Sequence, residues 1–179
     1  MATLNKEFTM ALSNYLAAGA AFTALPVLSA LALAEHGYAK RTLIIDADAA
    51  DLYALAVSNE GFQRFNPYCD TDPDLKIELY GPSTGIGSGF SFDGKDGKGT
   101  QTVADAVENR RVTYAVDLGM MGKPTQQILF EPVSGGTRVV WEVHSHAGYN
   151  PLKRLANLFL DRFMGQTLER GLRNLATAA

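Results

Sequence analysis

Glu142, His144 and His146 alternate along one predicted strand, which sends a carboxylate and two imidazoles out of the same face of a sheet. Such a trio could ligate iron or zinc, or move protons in acid–base catalysis. The same alternation places Val139, Trp141 and Val143 on the opposite face. If that apolar set lines the interior, the trio faces water and forms a polar outer stripe, which is the reading favoured here over a metal site. His36 lies apart, in the segment that joins an apolar leader to the first strand. Neither a Ser-His-Asp ordering nor a nucleophile elbow can be read from the chain.

Two further patterns resemble sites and are weaker. Asp70, Asp72 and Asp74 alternate beside Cys69, but the Gly and distal Glu of a calcium loop are missing, so a solvated loop is expected. Gly81, Gly85, Gly87 and Gly89 are not followed by the Lys-Ser/Thr and helix of a phosphate loop, and are read as bends and bulges that curve a sheet. A lone cysteine also excludes an intramolecular disulfide and a cysteine-rich zinc site.

The elements that position these residues follow from periodicity. Arg41 to Asp46 reads as a first strand, and Ala47-Asp48 caps a helix carrying Leu52, Tyr53, Ala56 and Val57. From Leu75 onward the pattern alternates in Leu75-Ile77-Leu79, Phe90-Phe92, Val112-Tyr114-Val116-Leu118, Ile128-Phe130 and Val139-Trp141-Val143. Short links rich in Gly, Asp and Asn join these runs as an antiparallel meander. Asn150-Pro151 then opens a helix predicted to run unbroken to about Ala176, roughly 39 Å, with an apolar stripe of Leu152, Leu155, Phe159, Phe163, Leu168, Leu172 and Leu175. Gly165 and Gly171 sit inside it at a cost of about 1 kcal/mol each relative to Ala, which close packing on the sheet explains better than room for a ligand. Strand, helix, a run of strands and a long helix make an α+β domain.

The order of four stretches resembles a known family: Ile45-Asp46-Ala47 with Leu52-Tyr53; Phe65-Asn66-Pro67-Tyr68; Gly81-Pro82 with Gly85 to Phe90; and Gly136 to Trp141. The closing Met164-Gly165, Glu169, Gly171-Leu172 and Asn174-Leu175 is similar too. The chain resembles the START-like or Bet v 1-like (SRPBCC) superfamily, and within it the polyketide cyclase/dehydrase and lipid-transport group, from about Gly37 to Thr177. The resemblance implies a helix-grip fold, a curved antiparallel sheet around the C-terminal helix with an internal apolar cavity. Candidate lining residues are Ile77, Leu79, Phe90, Tyr114, Val116, Ile128, Phe130, Trp141, Phe159 and Phe163. The cavity would take a lipid, a quinone or a polyketide-like molecule and needs no cofactor. A cyclase or aromatase using the same cavity is the alternative, with Tyr114 its one nameable acid–base candidate, and a partner-docking module is a third.

Composition agrees. With 179 residues, 46% apolar and 20% charged, the chain fits one globular domain plus an extra segment. A net charge of −3 without a basic stripe argues against nucleic acid as a partner. The extra segment is residues 1–36, preceding a domain of residues 37–179. Within it Tyr15 to Ala34 carries no charge, long enough for one membrane span, although eight of its twenty residues are Ala and Pro26 interrupts it. Ala32-Leu33-Ala34 also has the form of a signal cleavage site. The expectation is a membrane-anchored or exported protein that contacts the membrane through residues 15–34, with a packed soluble helix as the rival.

Overall fold

The computed structural model describes residues 32–179. Seven strands form a single antiparallel sheet: β1 (His36–Ile45), β2 (Lys76–Tyr80), β3 (Gly89–Gly94), β4 (Gly97–Val107), β5 (Arg111–Asp117), β6 (Thr125–Val133) and β7 (Gly136–His146). Their order across the sheet is β1-β7-β6-β5-β4-β3-β2, so β2 to β7 form the expected meander and β1 closes against the last strand. Helices α1 (Ala49–Ala56) and α2 (Asn59–Gln63) separate β1 from β2, and α3 (Pro151–Asn157) and α4 (Leu160–Ala178) follow β7. This is the helix-grip architecture.

Local chemistry sets the turns. The pair Val133 and Gly136 closes a two-residue hairpin between β6 and β7, with Gly135 at φ +86°, where an L side chain is strained. Asn109, at φ +55°, turns β4 into β5, as Asn tolerates the left-handed region better than most residues. A bulge between Val103 and Asp105 bends β4, and the sheet curves there. Alternation holds on β7, where Thr137, Val139, Trp141 and Val143 are all buried. The concave face meets α4 through Leu168, Leu172 and Leu175, and α1 covers the remainder with Leu52 and Ala56.

The closing helix differs from its sequence reading. It is two helices, because the chain tightens at Leu158 and Phe159, whose N–H groups donate to the carbonyls of Leu155 and Ala156 three residues back. No Gly or Pro marks this break. Each half is held separately. Asn157 of α3 packs over Gly37 and donates to the Glu35 carbonyl at 3.0 Å, whereas α4 is gripped by Arg41. The apolar stripe is therefore not continuous: Leu152 and Phe163 are 76% and 70% exposed, and Leu155 and Phe159 are exposed as well. Phase explains Phe163, since the five-residue step to Leu168 turns about 140° around the helix and leaves it off the buried face.

Both helical glycines have packing explanations. A Cβ on Gly165 would lie 2.7 Å from Cζ of Arg41, whose guanidinium crosses the helix here to reach Asp161 at 2.6 Å and Glu169 at 3.0 Å. These partners lie one turn either side of Gly165. A Cβ on Gly171 would lie 3.0 Å from Cη2 of Trp141 and closer still to Cζ3. The indole is enclosed by Phe62 and Phe65 and cannot retreat. Gly171→Ala should therefore lower stability by about 1–2 kcal/mol, because overpacking outweighs the gain in helix propensity. Urea unfolding monitored by tryptophan fluorescence measures this, and a more stable variant would contradict the packing.

Candidate ligand cavity

Side chains do not fill the space between the sheet and the C-terminal helices. A cavity of about 320 Å³ remains, within the range of roughly 300–1,000 Å³ typical of small-molecule sites. Its floor is the concave face of the sheet: Phe90, Gln101, Val116, Trp141 and Val143. α3 contributes Lys153, Ala156 and Asn157 to the wall, and α4 contributes Leu160, Met164, Thr167 and Leu168. One end is closed by Leu118, Met121 and Pro124 between β5 and β6.

A further part of the wall is built by the stretch Asn66-Pro67-Tyr68, which follows the buried Phe65. Phe65 is buried against Phe62, ring centroids 4.7 Å apart, and against Trp141. Asn66 accepts the Tyr68 N–H at 3.1 Å and donates to Gln63 at 2.9 Å, which fixes the turn that brings Pro67 and Tyr68 to the cavity. Asp72 belongs to the acidic loop expected to be solvated, yet it is buried. Its carboxylate accepts the backbone N–H groups of Lys95 at 2.7 Å and Asp74 at 3.2 Å, tying the loop to the β3–β4 hairpin. Cys69 and Asp70 beside it stay exposed. Burial and the nearby Asp96 carboxylate raise the pKa of Tyr68.

A family model described as polyketide cyclase/dehydrase and lipid transport matches residues 39–179, most of the chain. The chain belongs to that family. That match, together with solved structures of the same fold, supports the wider START-like/Bet v 1-like superfamily. The truncated norcoclaurine synthase of Thalictrum flavum superposes with a TM-score of 0.61 at 12% identity, covering 79% of this chain and 91% of that one. The aromatase/cyclase StfQ of the steffimycin biosynthetic pathway, a di-domain protein, matches with a TM-score of 0.60 at 14% identity over 80% of this chain and half of its own. Ara h 8.0201 matches with a TM-score of 0.53 at 14% identity, over 79% of this chain and 99% of its own. These likenesses show the shared fold. No curated protein matches the sequence.

Of the ten residues expected to line the family's cavity, the structure brings Phe90, Val116 and Trp141 to it. Ile128 and Phe130 face the same way but lie under α1, where Tyr53 meets the Phe130 ring edge-on at 6.3 Å. Ile77 packs at the margin of the core, and Leu79, 43% exposed on the edge strand, does not reach the cavity. Phe159 and Phe163 point outward at the helix break. Of the lining residues missed, Leu75 and Leu118 stand at the ends of alternating runs, just outside the strands, and Met121 lies in the connection between β5 and β6.

Tyr114 does not line this cavity. It is buried beside the cavity, and its hydroxyl donates to the Ala56 carbonyl at 2.7 Å. Burial pushes its phenol well above the ordinary range. Tyr114→Phe should cost about 1–3 kcal/mol by leaving that carbonyl unpaired, with ligand occupancy unchanged; denaturant titration beside a binding assay separates the two.

The trio Glu142, His144 and His146 leaves the convex face, opposite the buried set. Glu142 meets Tyr38 at 2.9 Å, Lys40 at 3.3 Å and His144 at 3.4 Å. Burial raises its carboxyl pKa, but hydrogen bonds from Tyr38, Lys40 and His144 outweigh this and lower it. His146 turns instead to Glu35 at 3.3 Å and stacks on His36 at 4.9 Å. Among the described residues, the metal-ligating atoms that come within 4.8 Å of one another are those of Glu35, His36 and His146, not the strand trio. The Arg154 guanidinium, 3.8 Å from Glu35, already supplies a positive charge there.

Proposed function

We propose that this protein binds one hydrophobic small molecule, of the lipid, quinone or polyketide-like kind, in the cavity between the sheet and α4. The observation that carries this is the cavity itself, walled by Phe90, Val116, Trp141, Val143, Leu160 and Met164 in a domain otherwise packed. Binding is favoured over cyclisation because Tyr114 is engaged by Ala56 and Asp72 by backbone amides, which leaves neither free for proton transfer. Native mass spectrometry of protein purified without detergent, followed by denaturing extraction, tests the reading. A hydrophobic compound released at near-stoichiometric amount is expected. A protein that is empty and takes up no apolar probe would sink it.

The uncharged stretch Tyr15 to Ala34 lies, but for its last three residues, outside the described residues, and no helix among those described is long and apolar enough to cross a membrane. We propose that this stretch tethers the domain to a membrane. The chain enters the domain beside α3, where the Leu33 and Glu35 carbonyls accept hydrogen bonds from Arg154 and Asn157. A tether there would turn the exposed Leu152, Leu155 and Phe159 toward the bilayer. Deleting residues 1–31 should move the protein from the membrane to the soluble fraction. A truncated protein still in the membrane pellet would refute the tether.

A further inference from the structure

The floor of the cavity carries two carboxamides, Gln101 and Gln126. Gln101 faces the interior of β4 between Phe90 of β3 and Val116 of β5, its partners in register, and is only 5% exposed. Its Nε2 is buried and has no hydrogen-bond partner among the described residues. Leu or Met would fill this position without the penalty of an unpaired amide.

Gln126 lies on β6, with only β5 between it and Gln101, and also lines the cavity. Its Oε1 accepts the Trp141 indole N–H at 3.0 Å. An indole can only donate, so Gln126 must present oxygen to it, and the amide NH₂ is the group left over. Two amide donors thus stand in one wall, and the aromatic side chains of Phe62, Phe90, Phe92 and Trp141 line the same space. Flat aromatic walls suit a flat ring, and amide donors suit acceptor oxygens on it.

We propose that the ligand is a carbonyl-bearing ring compound, a ketone or quinone rather than a bare acyl chain, whose oxygen accepts hydrogen bonds from Gln101 and Gln126. This rests on the binding function proposed above and narrows its ligand class. The competing arrangement is visible next door. A second cavity of about 10 Å³, bordered by Asn59, Ser88 and Gln101, has room for about one water, and a water held there would satisfy Gln101 without any ligand.

The test displaces a neutral fluorescent probe, 1-N-phenylnaphthylamine, from the full chain with 2-acetylnaphthalene or with 2-ethylnaphthalene, which share a skeleton and differ by one carbonyl oxygen. A cavity without donors ranks the hydrocarbon first, since the ketone gives up hydrogen bonds to water on entering. The expected result is that the wild type ranks the ketone first. Gln101→Leu combined with Gln126→Glu, which keeps the acceptor for Trp141 but removes the NH₂, should shift the affinity ratio toward the hydrocarbon by about tenfold or more. An equal ratio in wild type and variant overturns the proposal. Where the variant no longer holds the probe, the wild-type order decides, and hydrocarbon first overturns it. A wild type that does not bind the probe at all overturns the binding function itself, a result distinct from either order of affinity.

Discussion

Trp141→Ala should lower the stability of the domain by about 3–5 kcal/mol, the range for removing a large buried ring. The indole lies against Phe62 and Phe65, rests on the bare backbone of Gly171, and donates to Gln126. Its loss joins the ligand cavity to a void in the core and unpins Gln126. A broadened thermal transition with weaker retention of the probe is expected. Trp141→Phe should recover much of the stability but not the hydrogen bond to Gln126. Differential scanning calorimetry of both variants gives the comparison, and an alanine variant within about 1 kcal/mol of wild type would contradict this account of the core.

Thr167→Trp should abolish ligand retention while leaving the fold nearly as stable as before. Thr167 stands on α4 between Met164 and Leu168, half-buried, with its side chain on the cavity wall. An indole projecting from this position occupies the space a ligand would take. A single methylene misfit in an apolar pocket already costs roughly 10- to 200-fold, so a loss on the order of 100-fold or more is expected. Probe titration measures it, with the melting temperature as control. Retained binding would place the ligand outside the cavity.

The strands were legible because one face is dry. Val139, Trp141 and Val143 alternate in the sequence and are all buried, and that alternation also sent Glu142, His144 and His146 outward. The start of α3 was equally legible: the side chain of Asn150 accepts the N–H groups of Leu152 at 3.0 Å and Lys153 at 3.1 Å. The break at Leu158 was not, since tertiary anchorage at Asn157 and Arg41 causes it, and neither residue is a helix breaker. A period of two identifies an inward face but not what lies above it. Hence Ile128 and Phe130 read as cavity residues although α1 covers them, and Gln101 gives no signal because a polar residue on an inward face has no meaning until its surroundings are known. Loop residues such as Met121 carry no period at all.

The pairing of β1 with β7 also sets a schedule. His36 meets His146, and Arg41 waits for Asp161 and Glu169, so the first described strand finds its neighbours only when the last segments of the chain have been made. During synthesis the hairpins from β2 to β6 can assemble in turn from local contacts, but β1 still lacks its partner β7 and the concave face lacks the cover of α4. The roof arrives after the floor. A growing chain therefore exposes the aromatic side chains of the concave face until α4 has been made. Apolar surface that α4 later covers is open to other binders until that nineteen-residue helix emerges.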